Sequence, residues 1–229
     1  RRGRDTINKL WGDSAAVLLG DYLFASADYL ISTVGNTRVA AIAAQTVKTI
    51  STGELRQAFT AYELEQTREQ YYQRIGCKTA SLFSAAAESG AVLSQAPEEA
   101  IEALRSYGYE LGMAFQGVDD ILDFIGDESV MGKPVGSDLV QGTLTLPAML
   151  LLERYPEDNP VKRIFDRRGN MEDVKLAIEM IRNSSIVDDC YEATREFSAR
   201  ACRAWEKLPE GVILKSLSDL TEYLLERSS

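Results

Sequence analysis

Apolar residues recur at three- and four-residue spacing along almost the whole chain. This spacing is typical of α-helices, in which such residues share one face, and no segment shows the two-residue alternation of a half-buried strand. Nine helices are predicted, at 15–32, 37–62, 67–73, 79–93, 98–124, 146–154, 171–182, 186–207 and 212–226. The pattern therefore predicts an all-α protein.

Turn-forming residues separate these predicted helices. All 6 prolines fall at predicted boundaries, as expected of residues that interrupt helices. The longest segment without helical periodicity, residues 125–145, includes Gly126, Gly132, Gly136 and Gly142. A glycine-rich connection of this length is uncommon in a helical protein and is often functional.

The predicted helix that ends at residue 124 carries an acidic face opposite an apolar face. At ~100° per residue, Asp120, Asp123 and Asp127 lie within about 40° of Gln116, with Asp119 about 60° to one side. Like charges at this spacing repel, and the helix dipole does not help acids so far from its N-terminus. A magnesium ion, which prefers oxygen ligands and bridges carboxylates to phosphates, would offset the repulsion. The alternative is a solvated acidic face on a surface helix.

A loop with one lysine follows the acidic face. Residues 131–138 read Met-Gly-Lys-Pro-Val-Gly-Ser-Asp and could simply form a pair of turns. Because the loop begins within about ten residues of the aspartates, Lys133 could return over the helix end to an anion held there. Similarly, Lys78 and Thr79 follow Gly76 and could merely mark a helix start.

Composition narrows the possible chemistry. The 229 residues are 45% hydrophobic, enough for one core, and a net charge of −10 without basic clusters argues against nucleic-acid binding. The chain has 0 histidines, which excludes Ser-His-Asp and Cys-His catalysis. The three cysteines, Cys77, Cys190 and Cys202, form no CxxC motif and are predicted to be reduced, buried thiols.

No long apolar segment is evident in the sequence. The runs 15–19 and 146–152 are much shorter than the ~20 residues of a membrane-spanning helix. The basic start of the chain leads into polar residues, unlike the apolar core of a signal peptide. The prediction is a cytoplasmic protein without a transmembrane segment.

Three motifs in this order closely resemble the trans-isoprenyl (polyprenyl) diphosphate synthase family. They are Phe115-Gln116-x-x-Asp119-Asp120-x-x-Asp123, Gly132-Lys133-x-x-Gly136-x-Asp138, and Arg1-Arg2-Gly3 followed by Leu19-Gly20-Asp21-Tyr22-Leu23. The resemblance implies one isoprenoid-synthase-type domain over residues 1–229, a large, mostly antiparallel helical bundle around a deep central cavity. It also implies a homodimer.

The resemblance also implies a role for each matching residue. Magnesium would be bound by the second aspartate motif of the family, here Asp119, Asp120 and Asp123. The substrate diphosphates would be bound by Arg1, Arg2, Lys78, Thr79, Gln116 and Lys133, with Lys78 and Lys133 also assigned to catalysis.

This sequence departs from the family at two places. The first aspartate motif, which the family carries just before the arginine pair, is not in the sequence, so we expect the N-terminal helices to be missing and the chain alone to be inactive. A basic residue often found in the loop would fall near Thr143, which is neutral.

The implied reaction joins an allylic diphosphate to isopentenyl diphosphate, extending an all-trans polyprenyl diphosphate by magnesium-assisted ionisation, condensation and proton elimination. Two alternatives stay open. One is a non-catalytic partner subunit of a heteromeric prenyl diphosphate synthase, although Lys78, Lys133 and the aspartates are all retained. The other is a terpene cyclase of the same fold, against which Arg2 argues.

Overall fold

The computed structural model describes residues 4–127, 132, 134–166, 169–206, 208 and 212–226. Its described residues form helices and connecting loops without any β-strand. The first half comprises α1 (Ile7–Trp11), α2 (Asp13–Thr33), α3 (Thr37–Phe59), α4 (Arg68–Ile75), a π-helical turn (Gly76–Ala80), α5 (Ser81–Leu93) and α6 (Glu98–Ile125). The second half comprises α7 (Ser137–Val140), α8 (Leu146–Arg154), α9 (Pro160–Phe165), α10 (Met171–Arg182), α11 (Ile186–Ala204) and α12 (Val212–Glu226). The prediction of an all-α protein is confirmed.

The predicted helix boundaries lie within three residues of the observed ones. The helices predicted at 146–154, 171–182 and 212–226 have those bounds in the structure. The three helices that the pattern missed, α1, α7 and α9, have 5, 4 and 6 residues, too few for the apolar spacing to repeat. The predicted helix start beside Gly76 is wrong, because α4 continues through the π-helical turn into α5.

Helix α6 is the centre of the fold. It packs along α5 on one side and along α11 on another. A Cβ atom on Gly108 would lie 2.5 Å from the carbonyl oxygen of Phe83, and one on Gly112 would lie 2.6 Å from the Cα atom of Ala80. These two glycines therefore allow the close approach of α5 to α6.

Most of the buried apolar side chains form one core around the C-terminal half of α6. Phe124 and Ile121 of α6 meet Leu139 of α7, Leu151 of α8 and Ile181 of α10 there, each no more than 1% exposed. A smaller cluster joins the first half of α6 to α11 and α12, and contains Tyr107, Leu111, Ala114, Ala201 and Leu224. The acidic end of α6 is thus held in the better-packed part of the molecule.

Helix α2 differs from the rest because none of its residues is buried. It exposes eight large apolar side chains, namely Val17, Leu18, Leu19, Tyr22, Leu23, Phe24, Tyr29 and Leu30. Its 21 residues and its mean hydropathy of 1.2 also satisfy, by length and composition only, the requirements for crossing a membrane. The apolar runs considered in the sequence analysis were too short to indicate a helix of this length and hydropathy. Core helices of soluble proteins meet the same two requirements.

Candidate active site

The π-helical turn positions the Lys78–Thr79 pair. Helix α4 starts with a capping box in which Thr67 and Gln70 satisfy each other's backbone amides. The extra residue of a π turn changes the direction of the following side chains, and such turns are frequent at functional sites. Helix α3 lies close by, since a Cβ atom on Gly53 would be 2.8 Å from the Cβ atom of Cys77.

Lys78 extends from this turn toward α3. Its ammonium group forms an ion pair with Glu54, with Nζ 2.9 Å from Oε1. It also donates to the side-chain oxygen of Gln57 over 3.4 Å. Because 41% of the lysine side chain and 48% of the glutamate side chain are exposed, this ion pair contributes little to stability.

A continuous path of hydrogen bonds links this turn to the acidic motif. The Thr79 hydroxyl donates to Oε1 of Gln116 over 2.6 Å. The Gln116 amide then donates through Nε2 to Oδ1 of Asp120 over 2.8 Å. The structure therefore brings Thr79 into contact with Gln116, 37 positions later in the sequence, and through Gln116 links it to Asp120.

Asp120 is a buried carboxylate with only 3% of its surface exposed. The Tyr71 hydroxyl donates to its second oxygen, Oδ2, over 2.8 Å. Burial, the largest cause, and the charge of Asp138 raise the pKa of Asp120 to about 7, although the hydrogen bonds from Gln116 and Tyr71 act in the opposite direction. The nearby Arg74 guanidinium also lowers the pKa of Asp120, and a cation bound at this carboxylate would lower it further by favouring the charged form.

Asp123 connects the acidic helix to the loop that follows it. Its side chain is 0% exposed and accepts hydrogen bonds from the Ser137 hydroxyl over 2.7 Å and from the Asp138 backbone amide over 3.1 Å. Its carbonyl oxygen accepts from the Gly136 amide over 2.6 Å. A left-handed φ of 73° at Gly136, which glycine adopts without strain, allows this turn.

Asp119 is the most available of the three aspartates. Its side chain is half-buried, and it makes no hydrogen bond or ion pair with any part of the chain that the structure describes. The acidic face is therefore not uniformly solvated, because Asp120 and Asp123 are buried, whereas Asp119 is half-buried and Asp127 is exposed. The alternative of a solvated acidic face is wrong for Asp120 and Asp123.

Three of the predicted site residues, Arg1, Arg2 and Lys133, lie outside the described residues. Within the described ranges, no three acidic or thiol side chains converge closely enough to form a complete metal site. A cavity of about 360 Å³ opens next to Gln57, with Arg56 and Arg74 among its lining residues.

Sequence reasoning missed two residues of this site. Tyr71 stands 49 positions before Asp120, and nothing in the local sequence indicates their contact. Asp138 belonged to the loop motif, but only the structure shows that its charge acts on Asp120. Both effects arise from packing between elements that are distant along the chain.

Comparisons with known proteins agree with this geometry. The family model described as polyprenyl synthetase matches residues 1–189. Solanesyl diphosphate synthase 1, chloroplastic, of Arabidopsis thaliana is 34% identical over 99% of this chain and 55% of its own length. Heptaprenyl diphosphate synthase component 2 of Geobacillus stearothermophilus is 35% identical over 99% of this chain and 71% of its own length.

A solved structure shows that the likeness extends to the fold. The crystal structure of polyprenyl synthase from Caulobacter crescentus CB15, complexed with calcium and isoprenyl diphosphate, superimposes with a TM-score of 0.95 at 33% identity. The alignment covers 100% of this chain and 71% of that one. Several curated relatives are much longer, and the chain spans only 55% or 56% of the length of two of them. Family model, sequence relatives and fold together show that this chain belongs to the polyprenyl synthetase family.

Proposed function

We propose that the protein condenses an allylic diphosphate with isopentenyl diphosphate and so extends an all-trans polyprenyl diphosphate. The observation that carries the proposal is the hydrogen-bonded path from Thr79 through Gln116 to Asp120. It places the predicted diphosphate-binding pair beside the acidic motif. The names of the relatives, solanesyl and heptaprenyl diphosphate synthases, support the reaction class.

Lys78 and Thr79 are proposed to bind the diphosphate of the allylic substrate. Lys78 would leave Glu54 and donate charge-assisted hydrogen bonds to the anion. Such fixed donors stabilise the negative charge that develops on a leaving diphosphate, which is an effective form of catalysis because the charges need no reorganisation. The roles of Arg1, Arg2 and Lys133 in this binding stay predictions from the family resemblance.

The aspartate motif is proposed to hold magnesium. Asp119 makes no bond within the described residues, and Asp120 is a buried carboxyl whose pKa is raised chiefly by burial, so that a bound cation would stabilise its charged form. The carboxylate of Asp123 is occupied by Ser137 and Asp138, so this residue would position the loop and act less directly. When bound, Mg²⁺ supplies a Lewis acid that draws negative charge onto the leaving diphosphate.

The donor set agrees with the usual preferences of this ion. Magnesium is commonly bound by one or two carboxylates, with diphosphate oxygens and water completing its shell. Within the described residues, the carboxylate of Asp119 and the remaining lone pairs of Asp120, without a third converging carboxylate, fit that pattern better than a site made of protein ligands alone. The calcium ion named with the Caulobacter crescentus structure supports a divalent cation in a relative.

We also propose that residues 1–229 are part of one isoprenoid-synthase-type domain and that the protein forms a homodimer. The apolar surface of α2 supports the second proposal, because an exposed patch of this kind marks an interaction surface in soluble proteins. A cytoplasmic location stays a prediction from the sequence.

The test is a turnover assay of the protein expressed from its complete reading frame. With radiolabelled isopentenyl diphosphate, an allylic primer and saturating Mg²⁺, we expect an extractable prenyl product, and none when EDTA replaces Mg²⁺. Absence of product under every primer would contradict the proposed synthase activity. If product then appeared only after a second protein was added, the partner-subunit alternative would hold, for which the word "component" in the name of the Geobacillus stearothermophilus relative is the one supporting observation.

A further inference from the structure

We propose that Tyr71 is a positioning residue for the proposed magnesium aspartate Asp120, an inference that rests on the proposed function. Tyr71 lies on α4, is 1% exposed, and donates from its hydroxyl to Oδ2 of Asp120 over 2.8 Å. No sequence motif pointed to it. Residues that orient metal-binding side chains in this way influence metal affinity without touching the ion.

The carboxylate of Asp120 is held from both sides. Gln116 donates to Oδ1 from one helical turn earlier in α6, and Tyr71 donates to Oδ2 from a different helix. A carboxylate with one donor on each oxygen cannot rotate about its terminal torsion without breaking a bond. Its remaining lone pairs therefore point in fixed directions before any ligand arrives.

The position of Tyr71 is itself fixed by its neighbours. The guanidinium carbon of Arg74 lies 5.5 Å from the centre of the Tyr71 ring, and the ring of Tyr72 packs at 5.2 Å. Arg74 in turn donates to the carbonyl oxygen of Leu144 over 2.5 Å and to the side chain of Gln66 over 2.8 Å. Tyr71 thus connects Asp120 to the loop that precedes α8.

The same bonds form a path between the two halves of the site. Starting from the predicted diphosphate-binding turn, the path runs through Thr79, Gln116 and Asp120 and ends at Tyr71. Binding of a diphosphate at the turn and binding of magnesium at the motif would then require the same orientation of Asp120. Tyr71 should consequently affect magnesium-dependent diphosphate binding more than it affects binding of isopentenyl diphosphate.

The chain provides a matched control for this residue. Tyr72 is the next residue on α4, its ring contacts Tyr71 and Phe197, and its hydroxyl makes no hydrogen bond among the described residues. Tyr71→Phe and Tyr72→Phe remove the same atom from adjacent positions. Only the first removes a donor from Asp120.

The experiment compares wild type, Tyr71→Phe and Tyr72→Phe in the complete protein. For Tyr71→Phe we expect the half-saturating Mg²⁺ concentration to rise about 10- to 100-fold, the range for loss of a residue that orients a metal ligand. The KM for isopentenyl diphosphate should change less than about 3-fold, because the path begins at the pair proposed to bind the diphosphate of the allylic substrate. Calorimetric titration with inorganic diphosphate, at several Mg²⁺ concentrations, should show the same shift without any turnover.

A double variant separates positioning from general structure. If Tyr71 acts through Asp120, adding Tyr71→Phe to Asp120→Asn should lower Mg²⁺-dependent diphosphate binding no further than Asp120→Asn does alone. Additive losses would overturn the inference, as would equal Mg²⁺ dependence in Tyr71→Phe and Tyr72→Phe. If Tyr71→Phe does not fold, 4-fluorophenylalanine and 4-aminophenylalanine at position 71 provide the comparison, and only the second, which keeps a donor, should retain the wild-type Mg²⁺ dependence.

The turnover assay and the diphosphate calorimetry test the synthase activity and the positioning role of Tyr71 separately. A wild-type protein that forms no prenyl product would contradict the synthase activity, while calorimetry with diphosphate would still decide the role of Tyr71. An active wild type with an unaltered Tyr71→Phe variant would overturn the inference alone.

Discussion

At the scale of single residues, the three aspartates of the motif have different surroundings. Asp119 is half-buried and makes no bond within the described residues, Asp120 is buried between two donors, and Asp123 is buried against the following loop. Membership in one sequence motif therefore does not mean equal roles. The open carboxylate of Asp119 is the one best able to bind an ion directly.

Replacing Asp119 by asparagine should lower kcat by about 100-fold or more, since a lost magnesium ligand removes several kcal/mol of charge stabilisation. Stability should hardly change, because no apolar cavity opens and no internal bond is lost. Asp219→Asn, an exposed aspartate on α12, is the control. Turnover and thermal melting of both variants are the measurements, and a lower Tm with full activity would instead assign Asp119 a structural role.

Cys190 provides a test of burial that is independent of the site. Burial, the largest cause, raises the pKa of its thiol to about 12. At pH 8, Cys190 is then a thiolate in only about one folded molecule in ten thousand. Because the thiolate is the reactive form, Cys190 should resist alkylation by iodoacetamide in the folded protein. Because the unfolded thiol ionises near pH 8.5 and the folded one does not, its contribution to stability should fall as the pH rises above about 8.5.

Mass spectrometry after alkylation, with and without denaturant, measures this difference. The half-buried Cys77 and Cys202 are internal references in the same sample. Labelling of Cys190 in the folded protein as fast as that of Cys77 would contradict the packing of α11 against the core.

At the scale of helices, the close packing between α5 and α6 determines where the π-helical turn lies relative to the acidic end of α6. The axes can approach only where Gly108 and Gly112 present no side chain. This contact aligns the π-helical turn with the acidic end of α6, and so sets the separation of Thr79 from Gln116. The catalytic arrangement therefore depends on residues without chemistry of their own.

Gly108→Ala should destabilise the protein by about 1 to 3 kcal/mol, the usual cost of overpacking. The reason is that the new Cβ atom would meet the Phe83 carbonyl oxygen at 2.5 Å. Gly90→Ala, in α5, is the matched control: nothing lies within 4 Å of its Cβ position, and alanine there should stabilise the helix by about 0.5 to 1 kcal/mol. Urea unfolding of both variants tests the pair, and equal effects of the same sign would refute the close approach.

At the scale of the whole molecule, the main feature is the exposed apolar surface of helix α2. Its apolar side chains are exposed on all sides, and its contacts are chiefly with α1. Water contact with so much apolar surface is unfavourable by roughly 25 cal/mol per Å². We expect a second copy of the protein to cover this surface.

Leu18→Asp should therefore shift the complete protein from dimer to monomer in sedimentation velocity, since the leucine is 68% exposed on this surface. Leu176→Asp, the same change at a 41% exposed leucine of α10, should leave the dimer intact. A monomeric wild type would contradict the prediction. Recovery of the wild type in washed membranes would instead support a membrane role for α2.

The sequence alone was sufficient wherever the information is local. Helical class, the approximate bounds of the amphipathic helices and the acidic face of α6 follow from spacing within about twenty residues, and the motif order indicated the family. The same reasoning failed at the π-helical turn and at the shortest helices, because neither leaves a repeating apolar pattern.

Only the tertiary structure decided what each candidate residue can do. Burial and hydrogen-bond partners depend on which helices meet, and those contacts join residues such as Tyr71 and Asp120 across 49 positions. The aspartates looked equivalent in the sequence because helical spacing specifies direction but not surroundings. Packing then separated them, giving Asp119 open oxygens, Asp120 a raised pKa, and Asp123 the amide and hydroxyl of a neighbouring loop.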